Sequence, residues 1–213
     1  REAALYELGR DYILAGFLER AENAFLQLLN SQKHFLNAQS QLFNIYQTTK
    51  EWPRAIELAE KMIGAGGDSA ELCTRVAHFY CEQASIEIKN DHLIDAEMNL
   101  KKAITTDEKA VRPWLLLGEI AMQQQKYDDA IDYLSQIPSR DVSWLSEAVP
   151  LIEECAERLD DHIKLDKVLD EYWQQCATAY LAKVKLMAKD GEAENAAQVL
   201  LEQLKKHPTM KGF

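Results

Sequence analysis

The sequence is poor in the residues that interrupt helices: of 213 residues only 8 are glycine and 5 are proline. No stretch alternates apolar and polar residues between hairpin turns, which excludes a sheet. No apolar run approaches the ~18 residues needed to cross a bilayer. No signal-peptide pattern opens the chain either, and Arg1 stands inside a helical pattern, as expected of a cut in a longer protein. Positive charge is scarce, with 24 Lys+Arg against 35 Asp+Glu and a net charge of −11. So acidic a chain is poorly suited to phosphate backbones, which sets nucleic acid aside. Cysteine is sparse as well: Cys73, Cys81, Cys155 and Cys176 carry no C-x-x-C spacing. A chain of this length buries its own core without disulfides, so buried thiols in a reducing compartment are expected.

What remains is rich in Ala, Leu, Glu, Gln and Lys, all good helix formers. Helical patterns of about a dozen residues break near Gly16, at Lys89-Asn90-Asp91-His92, at Gln125-Lys126 and at Lys189-Asp190-Gly191. The class is all-α. The pattern also repeats. Ala21 and Ala55 are 34 residues apart, as are Tyr12 and Tyr46, Leu18 and Trp52, and Ala96 and Ala130. From Ala55 to Ala96 is 41, or 34 with seven extra residues, and the run Gly64-Ala65-Gly66-Gly67-Asp68-Ser69-Ala70 is expected to absorb them as a longer connection. Thirty-four is the period of the tetratricopeptide repeat, a helix-turn-helix unit. Small residues at Gly9, Gly118, Ala21 and Ala130 would let paired backbones approach, with Phe25 and Leu134 filling the space beside them.

Residues 144–158 and 163–176 read as a fifth helix pair with degraded landmarks. Residues 177–188 and 192–206 read as a sixth, turning at Gly191, with Pro208 after the last helix. The expectation is one right-handed solenoid of about six units over residues 1–213, a single array.

The pieces of a catalytic site do not converge. His34, His78, His92, His162 and His207 are scattered, and no H-E-x-x-H, G-x-S-x-G or P-loop motif occurs. Gly64-x-Gly66-Gly67 follows a helix and lacks the P-loop lysine, so it reads as a linker. His78 and Cys81 share a helix face but fall short of the three or four ligands of a zinc site. The pairs Asp128-Asp129, Glu153-Glu154 and Asp160-Asp161 fall mostly at turns or helix starts, where solvent and the helix dipole favour carboxylates. A hydrolase in residues 144–176 would need a base beside a nucleophile, and the spacing offers none. The chain is read as no enzyme, with no metal and no cofactor of its own.

What a solenoid offers is a groove lined by the first helix of each unit. With Glu2 as the first position, the groove positions are Tyr6, Arg10 and Ile13, then Asn37, Ser40, Asn44 and Gln47. The third unit supplies His78, Cys81 and Ser85, and the fourth Arg112, Leu115, Glu119 and Met122. Amides, two arginines, an aromatic and a thioether suit an extended or helical peptide. Arg10 leads, because an arginine fork on a rigid helix can bind a carboxylate. Tyr6 and Arg10 replace the lysine and asparagine of tetratricopeptide proteins that clamp acidic C-termini, which argues against a chaperone co-factor of that kind.

Several stretches go beyond generic repeat landmarks: Leu8-Gly9-Arg10-Asp11-Tyr12 with Arg20-Ala21-Glu22, Ile45-Tyr46-Gln47 with Glu51-Trp52, Ala77-His78-Phe79-Tyr80-Cys81-Glu82, and the closing His207-Pro208-Thr209-Met210-Lys211-Gly212-Phe213. Together they resemble the lipopolysaccharide assembly protein B family of Gram-negative bacteria. The resemblance implies a cytoplasmic tetratricopeptide array between an N-terminal membrane helix and a C-terminal rubredoxin-like metal module. It implies an inner-membrane adaptor that delivers the lipid A deacetylase to a membrane-bound protease, or else a scaffold that gathers lipopolysaccharide assembly proteins. Neither the anchor nor the metal module can be matched to residues of this chain, so it is expected to bind no metal and to reach a membrane only through the missing anchor. Self-association through Met98, Trp144 or Trp173 is a further expectation.

Overall fold

A computed structural model describes residues 1–31, 33–64 and 69–206, with side chains to residue 202. The closing stretch 207–213 and the glycine run at 65–68 lie outside the described residues. Among the described residues there are twelve α-helices, one 3-10 turn and no strand. The chain divides into two compact units, residues 1–107 and 108–213.

The first unit holds α1 (Glu2–Leu14), α2 (Leu18–Leu28), α3 (Phe35–Thr49), α4 (Trp52–Gly64), α5 (Ala70–Lys89) and α6 (Leu93–Thr106). Each helix packs on the next. The second holds α7 (Arg112–Gln123), α8 (Tyr127–Leu134), the 3-10 turn Val142–Trp144, α9 (Leu145–Leu159), α10 (Ile163–Tyr172), α11 (Ala177–Lys189) and α12 (Ala193–Lys206). Here α9 packs on α8, α10 and α11. Each unit is thus three helical hairpins.

The landmark positions are where the helices meet. Ala21, Ala55, Ala96 and Ala130 are all fully buried. A Cβ built on Gly9 would fall 2.7 Å from the Phe25 ring, so α1 approaches α2 as closely as it does only because Gly9 has none. In the second unit Ile131, Leu134, Leu145, Ile152 and Leu169 share one core, with Trp144 and Trp173 half-buried against it. Those two tryptophans are therefore packing residues first, whereas Met98 is exposed on α6.

The hairpin turns share one backbone solution. Gly16, Lys50, Asp91, Gln125, Asp160 and Gly191 all have positive φ. The next residue in each case donates its N–H five residues back, as Phe17 to Tyr12 O, Glu51 to Tyr46 O, Lys126 to Ala121 O and Glu192 to Met187 O. This left-handed cap satisfies carbonyls that the helix end would leave unpaired. A side chain at such a φ is strained, by ~1–2 kcal/mol relative to a right-handed conformation. Gln125→Gly is therefore expected to raise stability by about 0.5–1 kcal/mol. Thermal unfolding followed by circular dichroism checks this, as an upward shift of Tm.

The seven extra residues are not in the glycine-rich connection. Residues 65–69 are no longer a link than residues 29–34. Instead α5 runs for 20 residues against 15 in α3, and α4 for 13 against 11 in α2. Most of the added length is thus helical, with five of the residues in α5. Ser69 starts this helix, its Oγ accepting the Leu72 N–H at 3.1 Å.

Tyrosines join neighbouring hairpins in the first unit. Tyr46 on α3 donates to Glu22 Oε1 on α2 at 3.2 Å, while Arg54 pairs with Glu22 and lies over the Tyr46 ring. Tyr80 on α5 donates to Glu60 Oε1 on α4 at 2.5 Å. Burial, then the Glu22 carboxylate, pushes the Tyr46 phenol up to about 12. Burial and Glu60 push Tyr80 upward too. A phenol raised in the folded state gives up its proton sooner when unfolded, so this contribution is intact below about pH 10 and is lost as pH rises through the folded value. Urea unfolding should thus show stability falling between pH 10 and 12, with a shallower fall in Tyr46→Phe.

Candidate functional site

The predicted groove residues separate into those that pack and those that face solvent. On α1, Tyr6 is half-buried, its ring stacked on His34 at 5.5 Å and edge-on to Phe25. Ile13 is half-buried as well. Arg10 is exposed, its Nη1 3.3 Å from Glu7 Oε2 one turn earlier. It is an open surface charge already answered by a neighbour.

On α3 the expected row faces solvent. Asn37, Ser40, Asn44 and Gln47 are all exposed, and their spacing of three and four residues keeps them on one face of the helix. Ala38, Leu42, Ile45 and Tyr46 occupy the buried side.

On α5 the expectation needs correcting. His78 is exposed, with Nε2 3.9 Å from Glu82 Oε1 and its ring edge-on to Trp52. Cys81 is only 1% exposed and belongs to the core with Phe79, Tyr80 and Ala84. The Ser85 hydroxyl donates to the Cys81 carbonyl at 2.8 Å, inside its own helix. The reason is helical spacing: Cys81 lies four residues after Ala77 and three before Ala84, on the buried side of α5.

The side chain that does stand beside the α3 amides is Arg75, absent from the predicted set. Its Nη2 donates to Asn44 Oδ1 at 3.0 Å and to Gln47 Oε1 at 2.5 Å. Its guanidinium lies 4.3 Å from the centre of the Phe43 ring. No local pattern marks it, because its partners are 28 and 31 residues away in sequence. Next to it on α5, Thr74 Oγ1 donates to Asp107 Oδ2 at 2.8 Å, tying α5 to the end of α6.

Arg112, Leu115, Glu119 and Met122 belong to α7 of the second unit. Leu115 and Met122 pack partly buried against its core. Burial raises the Glu119 carboxyl above its ordinary range, with Arg112 pulling it down. Two lysines of this unit each sit between two aspartates: Lys164 reaches Asp128 and Asp132, and Lys183 reaches Asp166 and Asp170.

Among the described residues no three His, Cys, Asp or Glu side chains gather where a metal ion could sit. Nor is any described helix long and apolar enough to cross a membrane. What the site can do is hydrogen-bond and pair charge along a helix face.

Comparison with known proteins gives consistent findings. The tetratricopeptide repeat family profile matches residues 88–160. The chain is 34% identical over 218 residues to lipopolysaccharide assembly protein B of Escherichia coli (strain K12), an alignment covering 100% of this chain and 55% of that protein. It is 31% identical over 213 residues to the protein of the same name from Haemophilus influenzae, covering 99% and 53%. The chain thus spans about half the length of the curated relatives it matches. A crystal structure of MamA protein is similar with a TM-score of 0.48 at 19% identity, covering 88% of this chain and 94% of that one.

Proposed function

Since this chain belongs to the lipopolysaccharide assembly protein B family through its tetratricopeptide-repeat portion, we propose that it is a non-enzymatic adaptor in lipopolysaccharide biosynthesis. The observation that carries this reading is the row Asn37, Ser40, Asn44 and Gln47, four exposed hydrogen-bonding side chains on one rigid helix. Such a row suits the backbone of an extended segment, which presents donors and acceptors in turn. The partners in this reading are the deacetylase that commits precursors to lipid A and a membrane-bound protease that degrades it. The adaptor brings them together at the cytoplasmic face of the inner membrane, so that it restrains synthesis. The same array would serve as a scaffold that collects lipopolysaccharide assembly proteins without directing proteolysis, and the experiment separates the two.

The test is retention of purified deacetylase and protease on the immobilised full chain, together with deacetylase levels in cells lacking the protein. Retention of both and a rise in deacetylase are expected. Retention with unchanged levels replaces the adaptor by the scaffold. A folded chain that retains neither partner overturns both.

Arg10 has a smaller part than its position in the sequence suggested. It is exposed and paired with Glu7, and a rim charge acts mainly on the association rate. Arg10→Glu is expected to slow association by about threefold with little change in dissociation, as read by surface plasmon resonance at low and high salt.

A further inference from the structure

We propose that Arg75, held by Asn44 and Gln47, is a receptor for a single carboxylate side chain of the segment laid along α3. The carboxylate's carrier rests on the adaptor reading above, but the receptor itself does not and is tested without it.

The first argument is compensation of charge. Arg54 is flanked by Glu22 and Glu51, and Lys164 and Lys183 each sit between two aspartates. Arg75 is half-buried, yet among the described residues it forms no ion pair. Its partners are two neutral amide oxygens. In a chain of net charge −11, this guanidinium keeps its whole charge available.

The second argument is direction. A guanidinium has five N–H donors and no acceptor. Two of the five, on Nη2, are used by the amides. The donors on Nη1 and Nε remain. Each amide turns its oxygen to Arg75, so its NH2 group faces elsewhere as a further donor. The cluster therefore offers donors and one positive charge, which selects an acceptor-rich anion.

The third argument is preorganisation. Two hydrogen bonds and the Phe43 ring, 4.3 Å away, fix a side chain that otherwise loses about 2 kcal/mol of rotamer freedom on binding. One cation surrounded by uncharged groups matches the one charge of a carboxylate better than the two of a phosphate. Ser40 and Asn37, one and two turns back along α3, extend the same face with neutral groups that suit the rest of a peptide.

The experiment uses the full chain with 15N-labelled arginine and follows the Arg75 Nε–H signal by NMR, assigned with Arg75→Gln. The probes are N-acetyl-glutamate N-methylamide, its glutamine counterpart and inorganic phosphate. A saturable shift with the glutamate probe is expected. It should be about tenfold weaker with the glutamine probe and in Asn44→Ala/Gln47→Ala, whose exposed positions leave the core intact. Equal response to both amino-acid probes, tighter binding of phosphate, or no movement of the Arg75 signal overturns the proposal. If the glutamate probe binds while neither protein partner is retained, the adaptor reading fails and the receptor stands. If both partners are retained while the Arg75 signal ignores the glutamate probe, the receptor fails and the adaptor reading stands.

Discussion

Phe79→Ala is expected to destabilise the first unit by about 3–5 kcal/mol. Phe79 is 0% exposed, and its ring centre lies 5.2 Å from that of Phe43 and 5.3 Å from that of Trp52. It thereby joins α5 to both helices of the preceding hairpin. Truncation removes the buried ring and leaves a cavity that two rigid aromatic neighbours cannot collapse to fill. Each lost aromatic pair adds about 0.5–1.5 kcal/mol to the area term. Urea unfolding followed by tryptophan fluorescence reports on this, because Trp52 belongs to the trio. A midpoint shift worth less than about 1 kcal/mol would show that the trio is not a structural junction.

Gly118→Ala is the second, at about 1–3 kcal/mol. Helix propensity alone predicts the opposite sign, since alanine is favoured over glycine inside a helix by about 1 kcal/mol. Packing decides against it. A Cβ at residue 118 would lie 2.7 Å from both Cγ and Cδ2 of Leu134, which is fully buried. Cγ is not the free tip of the side chain, so relief requires α7 and α8 to move apart. The diagnosis is a double-mutant cycle with Leu134→Ala. In that background Gly118→Ala should lose most of its cost. If the two effects simply add, steric contact is not the cause. Gly9→Ala against Phe25 follows the same logic, softened because the nearest atom is a ring tip.

The helical class and the hairpin period were readable from small residues and helix breaks, and Ala21, Ala55, Ala96 and Ala130 lie where their spacing placed them. Two things were hidden. Lys50 and Asp160 turn their hairpins without a glycine, so no residue type announces them. The insertion was misplaced because a glycine-rich run advertises a loop, whereas residues added within helices carry no break signal. Cys81 was misjudged for a different reason: it continues the buried side of α5 that Ala77 and Ala84 mark. That the four α3 residues share an exposed face needed only local periodicity. Arg75 needed the approach of α5 to α3, a long-range fact that no spacing within either helix encodes.

The left-handed turns carry a consequence for how such a protein can diverge. Their closure is an affair of peptide groups, repeated at Gly16, Lys50, Asp91, Gln125, Asp160 and Gly191 with glycine in only two of them. Side chains at those corners tune strain without setting the rhythm of the coil. Mutation is therefore free to rewrite the corners and the solvent-facing rows, where new specificities arise, while the beat of the backbone persists.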